Sequence, residues 1–121
     1  MKALIHYTER LCGRLDPPSS KNYTTRYLLA AALAEGESVI HYPARSDDAE
    51  AMLRCLSAFG AQIREERDPQ GKPHLHIRGF GRHPQNPGVV DPGNAGAVLR
   101  LLMGVGALLP ELRFETRHTP S

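Results

Sequence analysis

The same punctuation occurs twice along this chain, and it limits the available folds more than any other feature. Asp16-Pro17 is followed by Arg26-Tyr27-Leu28-Leu29, and Asp91-Pro92 by Arg100-Leu101-Leu102; the two Asp-Pro steps lie 75 residues apart and the two arginines 74. At the same distance beyond each arginine comes a strand-like pair, Val39-Ile40 in the first case and Arg113-Phe114 in the second. A recurring spacing of this kind marks a supersecondary unit used more than once. The chain reads as an α/β (α+β) fold of repeated βαβαββ units, about one and a half of them. Residues 1–16 make an N-terminal strand and crossover segment, 17–88 the first unit, and 89–121 the start of a second. The second unit breaks off before its second helix and hairpin, so the expectation is the front portion of a longer protein.

Local patterns fill in the unit. Residues 3–15 fit one extended segment, stopped by Asp16-Pro17-Pro18. Ser19 or Ser20 caps a first helix, and the run from Tyr27 to Ala34 is so apolar that this helix should be covered on most sides. Ser38-Val39-Ile40-His41-Tyr42 reads as a short strand closed by Pro43. Ser46 or Asp47 caps a second helix, Asp47 and Glu50 resembling a capping box, with Met52, Leu53, Leu56 and Phe59 at helical spacing before Gly60. Two strands, 61–64 and 74–79, flank the turn residues Asp68 to Pro73, with Leu75 and Ile77 on one face and His74 and His76 on the other. Val89-Val90 precedes a third helix that begins at Asn94, and residues 112–115 suit a further strand.

Composition narrows the functions. The 121 residues suit one domain. Fifteen Lys and Arg against 13 Asp and Glu leave a charge of only +2, and 6% aromatic residues supply few stacking platforms, so nucleic acid is not the expected partner. No apolar run approaches the roughly 20 residues a membrane helix needs, which makes the cytoplasm the expected location. Cys12 and Cys55 lack the spacing of a zinc site and read as reduced thiols.

Chemistry is expected at two helix starts. Around the first stand Lys21, Asn22 and Arg26, joining an ammonium, an amide and a guanidinium to unpaired backbone N–H groups, a combination suited to phosphate or carboxylate. The competing account makes the hydroxyls simple caps and the cations solvated. At the second, Asn94 is a good cap and Gly96 opens the backbone to a ligand. Arg100 is the only charge in a long apolar run there, where an anion would offset its burial. Otherwise the glycines serve packing and Arg100 meets a carboxylate of the fold. His74 with His76 is a metal pair only in principle, and Asp47, Asp48 and Glu50 read as dipole-complementing acids of a first turn.

The stretch from Pro17 to Gly36 strongly resembles the first signature of the 5-enolpyruvylshikimate-3-phosphate synthase (3-phosphoshikimate 1-carboxyvinyltransferase) family. Ser46-Asp47-Asp48 through Gly60-Ala61 resembles its second helix, and Gly93-Asn94-Ala95-Gly96 to Arg100-Leu101-Leu102 its glycine-rich signature. The resemblance implies two globes of three βαβαββ units each, with substrates in the cleft between them and the N-terminal strand belonging to the other globe. It implies transfer of the enolpyruvyl group of phosphoenolpyruvate to the 5-hydroxyl of shikimate 3-phosphate, through a tetrahedral intermediate and with release of phosphate, in aromatic amino-acid biosynthesis. No cofactor or metal is required. Lys21, the one catalytic candidate, would touch both substrates, Asn22 and Arg26 the shikimate 3-phosphate, and Asn94, Gly96 and Arg100 the phosphoenolpyruvate.

The missing C-terminal portion of the same enzyme is the implied partner, and the isolated chain is expected to be inactive. The sequence departs from the family at Asn22, usually serine, at Thr25, usually asparagine, and at Ala97, usually threonine. The Lys21-Asn22 pair is similar to the sister enzyme acting on UDP-N-acetylglucosamine. A non-catalytic βαβαββ RNA-binding module is the remaining alternative.

Overall fold

The computed structural model describes residues 1–117. The elements are α1 (Lys21–Leu33), β1 (Glu37–His41), α2 (Asp47–Ala58), β2 (Gln62–Arg67), β3 (Pro73–Arg78), β4 (Val89–Val90), α3 (Gly96–Gly106) and β5 (Arg113–Phe114). Residues 118–121, which the sequence reading left without an element, lie outside the described residues.

β1, β3 and β2 form an antiparallel sheet in that order, with Ile40 opposite Leu75 and Ile63 opposite Ile77. Period-two alternation sends Ile40, Leu75 and Ile77 inward onto Leu28 and Ala31 of α1 and Met52 and Leu56 of α2, while His74 and His76 face outward as expected. α3 adds Val98, Leu102 and Val105 to the same core. β4 and β5 pair in parallel, Val89 with Arg113 and Val90 with Phe114.

The N-terminal caps of α1 and α2 are local. Ser20 accepts a hydrogen bond from the Tyr23 N–H and Ser46 from the Ala49 N–H. The other end of α1 is closed from a distance: the N–H groups of Phe80 and Gly81 donate to the carbonyls of Ala32 and Ala34, at 2.8 and 3.1 Å.

Several expectations are corrected. Residues 1–20 contain no strand, and Leu4, Ile5, Tyr7, Leu11 and Leu15 are all exposed. A strand needs a partner for its backbone groups, and no described strand runs beside this segment. α1 is buried on one face only, through Thr24, Thr25, Leu28, Ala31 and Ala32, while Tyr23, Tyr27 and Leu33 stay exposed. β1 ends at His41, because Tyr42 adopts a left-handed backbone conformation (φ 55°) that leaves the sheet. Ser46, not Asp47, caps α2, and Glu50 turns to Arg45 instead of completing a capping box.

Candidate functional site

The start of α1 is held in place by the connection between β1 and α2. The Ser19 hydroxyl donates to the Tyr42 carbonyl. The Thr24 hydroxyl accepts from the Ala44 N–H at 2.9 Å and donates to the Ser20 carbonyl at 2.7 Å. Between these anchors Lys21 reaches Asp48, near the start of α2, with Nζ 3.4 Å from Oδ2. Its side chain is still 53% exposed, against 19% for Asp48, so the ammonium is tethered on one side and open on the other. Asn22 and Arg26 are exposed on the same helix, and the Arg26 Nη1 donates back to the Asn22 carbonyl at 2.9 Å. Helical side chains lean toward the N-terminus, which brings this guanidinium to the mouth of α1. Thr25 lies behind, buried, its hydroxyl donating to the carbonyls of Lys21 and Asn22.

The glycine-rich start of α3 lies on the other side of α2. Asp91 Oδ1 accepts the Gly93 N–H at 2.8 Å, and Gly93, at φ 64°, turns the chain so that Asn94 stays outside the helix. Ala95 is therefore the cap residue, with no side-chain cap bond, and the helix begins at Gly96. That corrects the expected role of Asn94, because the Asx turn at Asp91 sets the entry of the chain. Asn94 instead lines a cleft of about 380 Å³ with Gly93 and Ala95, facing Asp47, Glu50, Ala51 and Arg54 of α2.

Arg100 is exposed, not buried, so no anion is needed to offset its burial. Its Nη1 folds back to within 3.2 Å of where a Cβ on Gly96 would stand. A glycine at 96 thus leaves room for the guanidinium at the helix start.

Lys21 and the Asn94 loop consequently flank the start of α2 from its two sides, and Arg26 and Arg100 each reach back toward their own helix start. The arrangement offers exposed cations and backbone N–H groups to small anions. Sequence reasoning missed the ion pair of Asp48, which it read as a dipole-complementing acid; that pair joins two elements and leaves no local pattern. It also passed over Arg54, whose guanidinium lies against Gly93.

The two histidines of β3 have separate partners. His74 Nε2 lies 3.3 Å from Asp68 and its Nδ1 2.7 Å from that of His41, while His76 stands between Glu37 and Glu66 at 3.3 and 2.7 Å. Among the described residues, no group of three or more His, Cys, Asp or Glu is placed to hold a metal ion.

A family model described as EPSP synthase (3-phosphoshikimate 1-carboxyvinyltransferase) matches residues 5–115. The 3-phosphoshikimate 1-carboxyvinyltransferase of Deinococcus radiodurans is 51% identical over 118 residues, covering 98% of this chain and 26% of that protein. Its counterpart in Thermus thermophilus is 45% identical over 96 residues, covering 78% and 21%. An EPSP synthase structure from Acinetobacter baumannii shares the fold with a TM-score of 0.68 at 24% identity, over 87% of this chain and 24% of that one. This chain thus spans about a quarter of the length of the curated relatives it matches. These matches favour the shikimate enzyme over the UDP-sugar enzyme and the RNA-binding module. With the family match running through nearly the whole sequence, the chain belongs to the EPSP synthase family.

Proposed function

We propose that this chain is part of a transferase that moves the enolpyruvyl group of phosphoenolpyruvate to the 5-hydroxyl of shikimate 3-phosphate, acting in the cytoplasm. The remainder of the same enzyme is its partner, and neither nucleic acid nor a membrane takes part. The observation that carries the reading is the half-exposed Lys21 ammonium at the start of α1, beside Asn22 and Arg26 and across α2 from the Asn94 loop.

In this reading Asn22 and Arg26 hold the phosphate of shikimate 3-phosphate, while Asn94, Gly96 and Arg100 hold phosphoenolpyruvate. Lys21 touches both. Fixed cations bring the two anions together and stabilise charge as addition proceeds, with no metal or cofactor. Residues 1–16, 17–88 and 89–121 then correspond to the crossover segment, the first unit, of which α1, β1, α2, β2 and β3 are formed here without the leading strand, and the start of the second. The equal spacing from Arg26 to Val39, within β1, and from Arg100 to Arg113, at the start of β5, supports that division.

Titration of the isotopically labelled chain with shikimate 3-phosphate, followed by NMR, tests the assignment. Amide shifts centred on residues 20–26, abolished by Lys21→Met, are the expected result. Shifts confined to other surfaces, or none at all, overturn it.

A further inference from the structure

We infer that Asp48 is the positioning residue for Lys21, holding the ammonium where it serves two anions at once. The inference rests on the substrate reading above and adds a residue to it. α2 carries three acids in its first turn, Asp47, Asp48 and Glu50. Glu50 is 3.1 Å from Arg45, and Asp47 is exposed on the cleft toward Asn94; Asp48 alone meets Lys21.

The backbone at both ends of this pair is fixed. Ser19 with Tyr42 and Thr24 with Ala44 bracket Lys21, and the same connection leads through the Ser46 cap into Asp48. A lysine side chain has four rotatable carbons and loses much entropy on being ordered. Asp48 has ordered it before any ligand arrives. An ammonium has three N–H donors, and the one carboxylate paired with it stands 3.4 Å away on a single side. With the side chain 53% exposed, the ammonium keeps donors open to solvent at the mouth of α1, enough for one oxygen from each of two anions.

Positioning and simple electrostatics predict opposite signs. A carboxylate beside an anion site repels the anion, so removing its charge without other effect tightens binding. If Asp48 instead orders Lys21, removal weakens binding despite the lost repulsion.

The experiment compares the full chain with its Asp48→Asn and Asp48→Glu variants. Readouts are the Kd for shikimate 3-phosphate, with inorganic phosphate as a second probe, the Tm, and relaxation of the Lys21 13Cε. Asp48→Asn is expected to weaken shikimate 3-phosphate binding about tenfold and to free the Lys21 terminus with little change in Tm, while Asp48→Glu restores most of the affinity. Unchanged or tighter binding by Asp48→Asn overturns the inference and leaves the substrate reading standing. If the unaltered chain binds neither probe, the substrate reading falls. Relaxation then decides whether Asp48 orders Lys21: equal mobility in both proteins refutes it.

Discussion

Cys55 and Asp68 show how a single neighbourhood sets the chemistry of a side chain. Burial, opposed by Arg54 and reinforced by Asp91, pushes the Cys55 thiol up to about 11, and its Sγ donates to the Asp91 carbonyl at 3.3 Å. At pH 8 about one molecule in a thousand then carries the thiolate that reacts. Iodoacetamide at that pH is expected to label the exposed Cys12 and to spare Cys55 until the chain is unfolded. Equal labelling of the two in the folded protein contradicts the assignment.

Asp68 moves the other way. The Lys72 N–H lowers its carboxyl below the usual 3.8 more than any other group, against a smaller desolvation, with help from His74 and the Gln70 N–H. Because the folded pKa is the lower one, this stabilisation is complete above the unfolded value and disappears as pH falls through the folded value. Urea midpoints measured from pH 6 to pH 2.5 should therefore fall more steeply for the unaltered chain than for Asp68→Asn; parallel curves exclude the contribution. The Cys55 environment is not legible in the sequence, since Asp91 meets it only through the fold, whereas that of Asp68 is made within six residues by the turn that the sequence marks from Asp68 to Pro73.

At the level of elements, two glycines in regular surroundings call for opposite outcomes. A Cβ on Gly79 would lie 2.0 Å from the Ala34 carbonyl oxygen and within 2.7 Å of those of Ala31 and Ala32, where the exit of β3 closes the end of α1. None of these atoms is a flexible side-chain end. Gly79→Ala is expected to cost about 3 kcal/mol, the upper range for forced overpacking. Gly104 lies exposed within α3 with nothing near its Cβ position, so Gly104→Ala should gain about 0.5–1 kcal/mol from helix propensity alone. Urea denaturation of both variants reads the two signs; a neutral Gly79→Ala would show that the helix end yields easily.

The same contrast explains what could be read in advance. Ser20, Ser46 and the alternation of His74, Leu75, His76 and Ile77 act within a few residues, and the structure follows them. The uncovered face of α1 could not be read. A helix apolar all round carries no stripe to say which side meets a neighbour, and the residues it buries here are Thr24, Thr25, Leu28, Ala31 and Ala32. Asn94 departs from the cap role its position suggests because Asp91, three residues earlier, fixes the turn that precedes α3.

For the molecule as a whole, the candidate site has groups that hold anions but few that can move protons. The proposed addition requires a proton at the methylene carbon of phosphoenolpyruvate and removal of one from the 5-hydroxyl of its acceptor. The cations are Lys21, Arg26 and Arg100, and a guanidinium does not titrate in proteins. Of the nearby acids, Asp48 is engaged by Lys21 and Glu50 by Arg45, which leaves Asp47, exposed on the cleft beside Asn94. Binding without turnover is the expected outcome. The chain mixed with both substrates should release no phosphate above the uncatalysed background, even at concentrations that saturate the NMR shifts of residues 20–26. Raising NaCl from 50 to 500 mM should weaken shikimate 3-phosphate binding several-fold, since the cations are exposed and the Debye length shrinks from about 14 to about 4 Å over that range. Sustained phosphate release that is lost in Lys21→Met would mean that a proton-transfer group already operates within these residues. Salt-independent affinity would mean that the ligand sits away from the three cations.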